Sequence, residues 1–243
     1  MSESLQILLA SAVTIGLVHT VIGPDHYLPF IVLGRAEGWP LRKTMFWTFI
    51  CGVGHIASSI VIGLLGVALG WALTSMQRFE ALRGAFAAYA LIGFGFLYFV
   101  WGLWRGRSGH RHAHLHADGS LHSHPHPHEG SPIEGHDAAP HDEPAHVARH
   151  RRTLWTLFTI FVLGPCEPLI PLLMAPASRH DAAGVAAVAT VFGGTTVGMM
   201  LILVALGTYG VRLVRLQSLE RYAHALAGFA IFVSGLLIQL LGV

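Results

Sequence analysis

Apolar residues along this chain do not alternate with polar ones. They gather in six long runs: Leu5 to Ile22, Thr44 to Ala72, Gly84 to Trp104, Thr153 to Ala177, Val185 to Val211 and Tyr222 to Val243. About 20 consecutive apolar residues suffice for a helix to cross the hydrocarbon of a bilayer. The pattern therefore predicts six transmembrane helices, with the lipid bilayer as solvent for most of the chain. Composition agrees: 53% of the 243 residues are apolar, only 12% are charged, and the mean hydropathy is +0.57. Met1 to Gln6 carries no basic residue, and no small-residue cleavage site precedes Gly23-Pro24. The first run is accordingly read as a retained helix rather than a secretory signal.

Between Arg105 and Arg152 the apolar content collapses and histidine, acidic residues, glycine and proline take over. Such a composition buries too little surface to offset the entropy of ordering, so a flexible linker is expected there. It separates two sets of three helices that resemble each other at a nearly fixed offset. Gly23-Pro24-Asp25-His26 returns as Gly164-Pro165-Cys166-Glu167, Gly54-His55 as Gly194-Thr195, and Glu80-Ala81-Leu82 as Glu220-Arg221-Tyr222. Three crossings per set invert the second copy relative to the first, a design found in many transporters. The expected fold class is an all-α integral membrane protein, six transmembrane helices arranged as two inverted three-helix repeats with broken first helices. Residues 1-104 form the first repeat, 105-152 the linker and 153-243 the second repeat.

The net charge of +2 says little as a total, and no nucleic-acid partner is expected. Its distribution says more. With alternating helices, the loops after runs one, three and five share one side and hold 12 of the 15 basic residues; only Arg78, Arg83 and Arg179 fall opposite. The positive-inside rule then places the linker in the cytoplasm and both termini outside it, as for a protein of a bacterial inner or plasma membrane.

Among the carboxylates, Asp25 and Glu167 stand out as the two in apolar surroundings, at equivalent places in the two repeats. Glu80 and Glu220 are read as flanking helix starts, where a carboxylate favours the dipole. A carboxylate at membrane depth is costly unless paired, protonated or holding a cation. Proline cannot donate to the helix ladder, so breaks are expected at Gly23, Pro24, Gly164 and Pro165. Matching breaks in inverted repeats mark an ion site, because helix ends and unwound carbonyls become available there. The neighbouring side chains are metal ligands by type: His19, Asp25 and His26 from the first repeat, Cys166 and Glu167 from the second, and His55 from the second helix. His19 and His26 lie about two turns apart and would share a face on a continuous helix. Mixed imidazole, carboxylate and thiolate donors suit nickel, cobalt or zinc rather than magnesium or calcium. The linker adds alternating histidines, His110, His112, His114 and His116, then His122, His124, His126 and His128, a pattern suited to auxiliary chelation of a divalent ion.

On these residues the chain resembles the nickel/cobalt transporter families, both the urease-accessory-type nickel permeases and the efflux proteins with histidine-rich loops. Those permeases carry a histidine, four residues, then Asp-His; here five residues separate His19 from Asp25-His26. The resemblance implies that His19, Asp25 and His26 contact the transported metal, nickel or cobalt, with no other tightly bound cofactor. Alternating access about the two breaks is the expected mechanism, and protonation of His19, His26 or Asp25 would release the ion.

Gly164-Pro165-Cys166-Glu167-Pro168 also looks like the Pro-Cys segments of membrane thiol-disulfide carriers. Those need a cysteine in each repeat, and the mate of Cys166 is Asp25. No His-Glu-x-x-His occurs, so an intramembrane metallopeptidase, or any enzyme, is not expected. A metal sensor would use the same ligands as a carrier and differ only in the absence of flux.

Overall fold

In the computed structural model of the chain, the described residues are 3–107, 112–115, 121–124, 143–164, 166–179, 181–213 and 221–241. Among the described residues eight α-helices follow in order: α1 (Glu3–Ile22), α2 (Leu28–Ala36), α3 (Leu41–Ala68), α4 (Leu73–Arg107), α5 (Glu143–Leu163), α6 (Leu169–Ala177), α7 (Ala182–Leu213) and α8 (Ala223–Leu241). Between α4 and α5 a two-stranded antiparallel ribbon pairs β1 (His112–Leu115) with β2 (Leu121–His124).

Five of these helices, α1, α3, α4, α7 and α8, are long and apolar enough to cross a membrane. Much of their surface faces outward and is apolar: Leu82, Leu97, Trp104, Leu206 and Leu240 are each more than 60% exposed, a surface for lipid rather than water. The remaining expected span, the fourth apolar run, is not one helix. The apolar part of α5, Thr153–Leu163, is short, and the chain breaks before α6 begins. α4 runs on to Arg107 and α5 starts at Glu143, both within the range expected for the linker.

Two further corrections concern α4. Its expected start at Gly84 is too late, since the helix begins at Leu73 and takes Glu80 and Arg83 into its body. Glu80 is wholly buried, so it is no dipole partner at a helix start. Among the described residues it is the one wholly buried carboxylate, whereas Asp25 is half-buried and Glu167 exposed.

Small residues let the helices approach. α1 buries Ala12, Gly16 and Thr20, a four-residue spacing that lays one narrow face on α7. A Cβ added at Gly16 would stand 3.3 Å from Thr196 Oγ1 and 3.5 Å from the carbonyl of Phe192. The closest pair is α4 with α8. A Cβ at Gly95 would collide with the backbone of Phe232, one at Gly102 with Ala225, and one at Gly228 with Phe99. Between membrane helices, where lipid is as apolar as leucine, such close van der Waals packing is a main source of association.

Two turns share one chemistry. α2 and α3 each end on a left-handed glycine, Gly38 (φ 64) and Gly70 (φ 66). In each case the amide just past that glycine, Trp39 or Trp71, donates back to Gly34 or Gly66, closing a Schellman motif.

Gly228→Leu is expected to push α4 from α8 and to destabilise the protein by at least the roughly 1–3 kcal/mol of an overpacked core. Thermal melting in detergent checks this, with Leu82→Ala on the outward face as the neutral comparison; an unchanged melt for Gly228→Leu would contradict the close packing.

Candidate functional site

α1 stops where Pro24 denies it a further amide. The Gly23 amide donates to His19 O at 3.0 Å, the His26 amide to Gly23 O at 3.1 Å, and Pro24–His26 forms a single 3-10 turn. This turn folds His26 back over the end of α1, so that the His19 and His26 ring centroids lie 4.7 Å apart. The two residues do share a face, through the break rather than along a continuous helix. Gly23 is essential to the fold-back: a Cβ there would stand 2.5 Å from His26 Nδ1 and 2.9 Å from Asp25 Oδ1.

α5 ends in the same manner. The Gly164 amide donates to Ile160 O and Phe161 O, and α6 resumes at Leu169. Pro165 lies outside the described residues. His55, from the middle of α3, meets this second break: its Nδ1 lies 3.2 Å from Phe161 O, and a Cβ at Gly164 would stand 3.3 Å from the same nitrogen. Each break glycine therefore abuts the Nδ1 of one imidazole.

His26 Nδ1 has two acceptors, Gly23 O at 3.2 Å and Asp25 Oδ1 at 3.1 Å, and His55 Nδ1 has the Phe161 carbonyl. Since carbonyl and carboxylate oxygens only accept, the hydrogen bonds assign the proton to Nδ1 in both rings. Nε2 is then left with its lone pair. Nε2 of His19, His26 and His55 are all buried and without a hydrogen-bond partner. One ring nitrogen from each residue lies within 4.8 Å of those of the other two. Three unsatisfied imidazole nitrogens in an apolar bundle are costly by themselves. A group of imidazole nitrogens of this kind could hold a borderline divalent ion. The carboxylate behind His26 is the kind of partner that orients a ligating imidazole and raises its basicity.

The three rings line a cavity of about 280 Å³, together with Asp25, Gly164, Glu167 and residues of α4 from Gly84 to Leu91. Asp25 is a third exposed and holds His26 through Oδ1, so it stands beside the nitrogen cluster rather than within it. Glu167 lies on the wall of this cavity and of a second one that also touches Glu80. Cys166 is not in the cavity. Its side chain is buried in an apolar cluster with Ala12, Leu169, Val188 and Phe192, while Cys51 packs in a different cluster, and both thiols are free. The mate of His55 in the second repeat, Thr195, touches the Gly16 face, and neighbouring Thr196 is buried there.

Of the eight alternating histidines of the linker, four fall on the ribbon, whose register sets His112 opposite His124 and His114 opposite His122. His110, His116, His126 and His128 lie outside the described residues.

Sequence reasoning missed Glu80 and Arg83. Arg83 Nη1 donates to Glu80 Oε1, and Nη2 lies within 3.1 Å of Ser58 Oγ, Val162 O and Gly164 O. The Glu80 Oε2 in turn accepts from the Cys166 amide at 3.3 Å. The signal was present as an acid and a base three apart, which face each other on a helix.

His55→Ala is expected to weaken binding of Co(II) at this site by more than the roughly 10- to 100-fold that loss of an outer partner costs. Asp25→Asn should fall within that range. Equilibrium titration of the purified protein checks both, and equal losses would contradict the separate roles.

No family model matches the chain, and no curated protein or solved structure matches it either.

Proposed function

We propose that this protein carries divalent transition-metal ions across a membrane, nickel or cobalt foremost, by alternating access at the site between the two helix breaks. The observation that carries the proposal is the trio of buried Nε2 atoms on His19, His26 and His55, two with their tautomer fixed by Nδ1, on residues that line one cavity. A cation is the partner that all three lack, and the transported ion is that partner.

The proposed architecture is six crossings in two inverted repeats, with α1–α2 and α5–α6 as the broken first members. Several correspondences support it. α2 and α6 are both nine residues long and start 141 positions apart, as do α3 and α7. Gly95 and Gly235, 140 apart, both lie at the α4–α8 contact. α1 packs on α7 and α5 on α3, so each broken helix lies against the other repeat. In this reading both termini face outward from the cytoplasm, and the histidine-rich segment collects ions on the cytoplasmic side.

The ion would bind to His19, His26 and His55, with Asp25 orienting His26 and adding negative charge, and Glu167 lining the way in or out. Rocking of one repeat against the other would then expose the cavity to each side in turn.

Nickel and cobalt flux into sealed proteoliposomes tests the proposal. The parent is expected to carry both ions, and a folded Asp25→Ala, Glu167→Ala double variant is expected to lose that flux. Absence of flux for any divalent metal in the parent would overturn the carrier and leave a sensor.

A further inference from the structure

The buried Glu80–Arg83 pair has no part in the proposed ligand set, yet every contact it makes leads to that set. In the proposed six-crossing arrangement α5 ends within the bilayer, and the last four carbonyls of a helix have no partner of their own. Inside a bilayer such groups must find donors within the protein. Arg83 Nη2 supplies them for Val162 and Gly164, at 3.1 Å each. Phe161 O, which also takes the Gly164 amide, is the acceptor for His55 Nδ1.

Arg83 also reaches His55 from the other side. Its Nη2, two N–H groups shared among three acceptors, also lies 3.0 Å from Ser58 Oγ, and Ser58 Oγ donates to the carbonyl of His55 at 2.8 Å. One guanidinium thus ties down both the backbone from which His55 projects and the carbonyl row that aims its ring. Glu80 holds the guanidinium through Nη1 and takes the Cys166 amide, the first amide beyond Pro165. A lysine ammonium is a point donor and lacks the planar fork that spans these sites.

We propose that Arg83, anchored by Glu80, is the positioning residue of the cation site: it fixes the end of α5 against α3 and so sets the direction of His55 Nε2. The inference rests on the proposed cation binding at His19, His26 and His55, but not on transport.

Co(II) titration of the full-length protein in detergent, followed by visible absorption, tests it. The signal is the part of the spectrum that His55→Ala removes, which separates the site from the linker histidines. Arg83→Gln is expected to weaken that component by about 10- to 100-fold, the range for lost outer-shell partners, and to change its band shape; Arg83→Lys should fall between Arg83→Gln and the parent. Because Arg83→Gln strands a buried carboxylate, the Glu80→Gln, Arg83→Gln double variant is measured beside it. The double leaves no charge unpaired, and the side-chain carbonyl that Glu80→Gln introduces still accepts the Cys166 amide. A melt near that of the parent with cobalt affinity still lowered supports positioning. Parent-like affinity and band shape in the double would overturn the inference and reduce the pair to a structural role. A parent with no His55-dependent cobalt component would overturn the cation site itself, and the inference with it.

Discussion

A polar atom buried among lipid-facing helices must meet another polar atom. The central part of this fold follows from how the two helix breaks meet that demand. At the first break, the Gly23 carbonyl and the Asp25 carboxylate take the Nδ1 proton of His26. At the second, the Phe161 carbonyl takes that of His55, and Arg83 takes the carbonyls of Val162 and Gly164. The breaks and two of the imidazoles, His26 and His55, satisfy each other at Nδ1. What remains are the buried, unpartnered Nε2 atoms of His19, His26 and His55, on three rings grouped in one place.

That arrangement needs a rigid frame, and the α4–α8 pair supplies it. Glycines on both helices bring backbone against backbone at several levels. α4 also carries the Glu80–Arg83 pair toward one end and Tyr98 toward the other, whose hydroxyl donates to Glu37 at 2.7 Å and lies 2.8 Å from His224 Nδ1. A single helix is therefore hydrogen-bonded to the second break, to the turn after α2 and to the start of α8. The end of α5 is fixed to this spine through Arg83 and the turn after α2 through Tyr98, whereas α1 packs on α7.

Much of this was legible in the sequence because Gly-Pro is a covalent instruction: it ends a helix wherever it falls. The breaks, the pairing of His19 with His26 and the inclusion of His55 followed from residue type and place. Direction did not follow. Cys166 sits beside the break, but its side chain turns into the apolar cluster under α6, and only its amide takes part, in a bond to Glu80. Asp25 stands next to His26 and is held by it. Residue type names a candidate donor, but backbone geometry decides where it points. Glu80 and Arg83 escaped for a different reason. An apolar window excludes charges by construction, so it began only at Gly84 and removed from the helix the two residues whose opposite charges allow them to be buried. The division of the fourth run into α5 and α6 shows the converse: apolar content persists across Gly164–Pro168 although the helix does not.

α1 is the least embedded of the crossing helices. Only 17% of its spanning window is inside the bundle, through the thin face of Ala12, Gly16 and Thr20, and the rest of its surface meets lipid. Its last turn nevertheless carries His19. Two corners of the nitrogen triangle are fastened to protein, while the third hangs on an element whose tilt answers to the thickness of the surrounding membrane. In the proposed carrier the lipid would thus be a mechanical part of the site, acting through the tilt of α1.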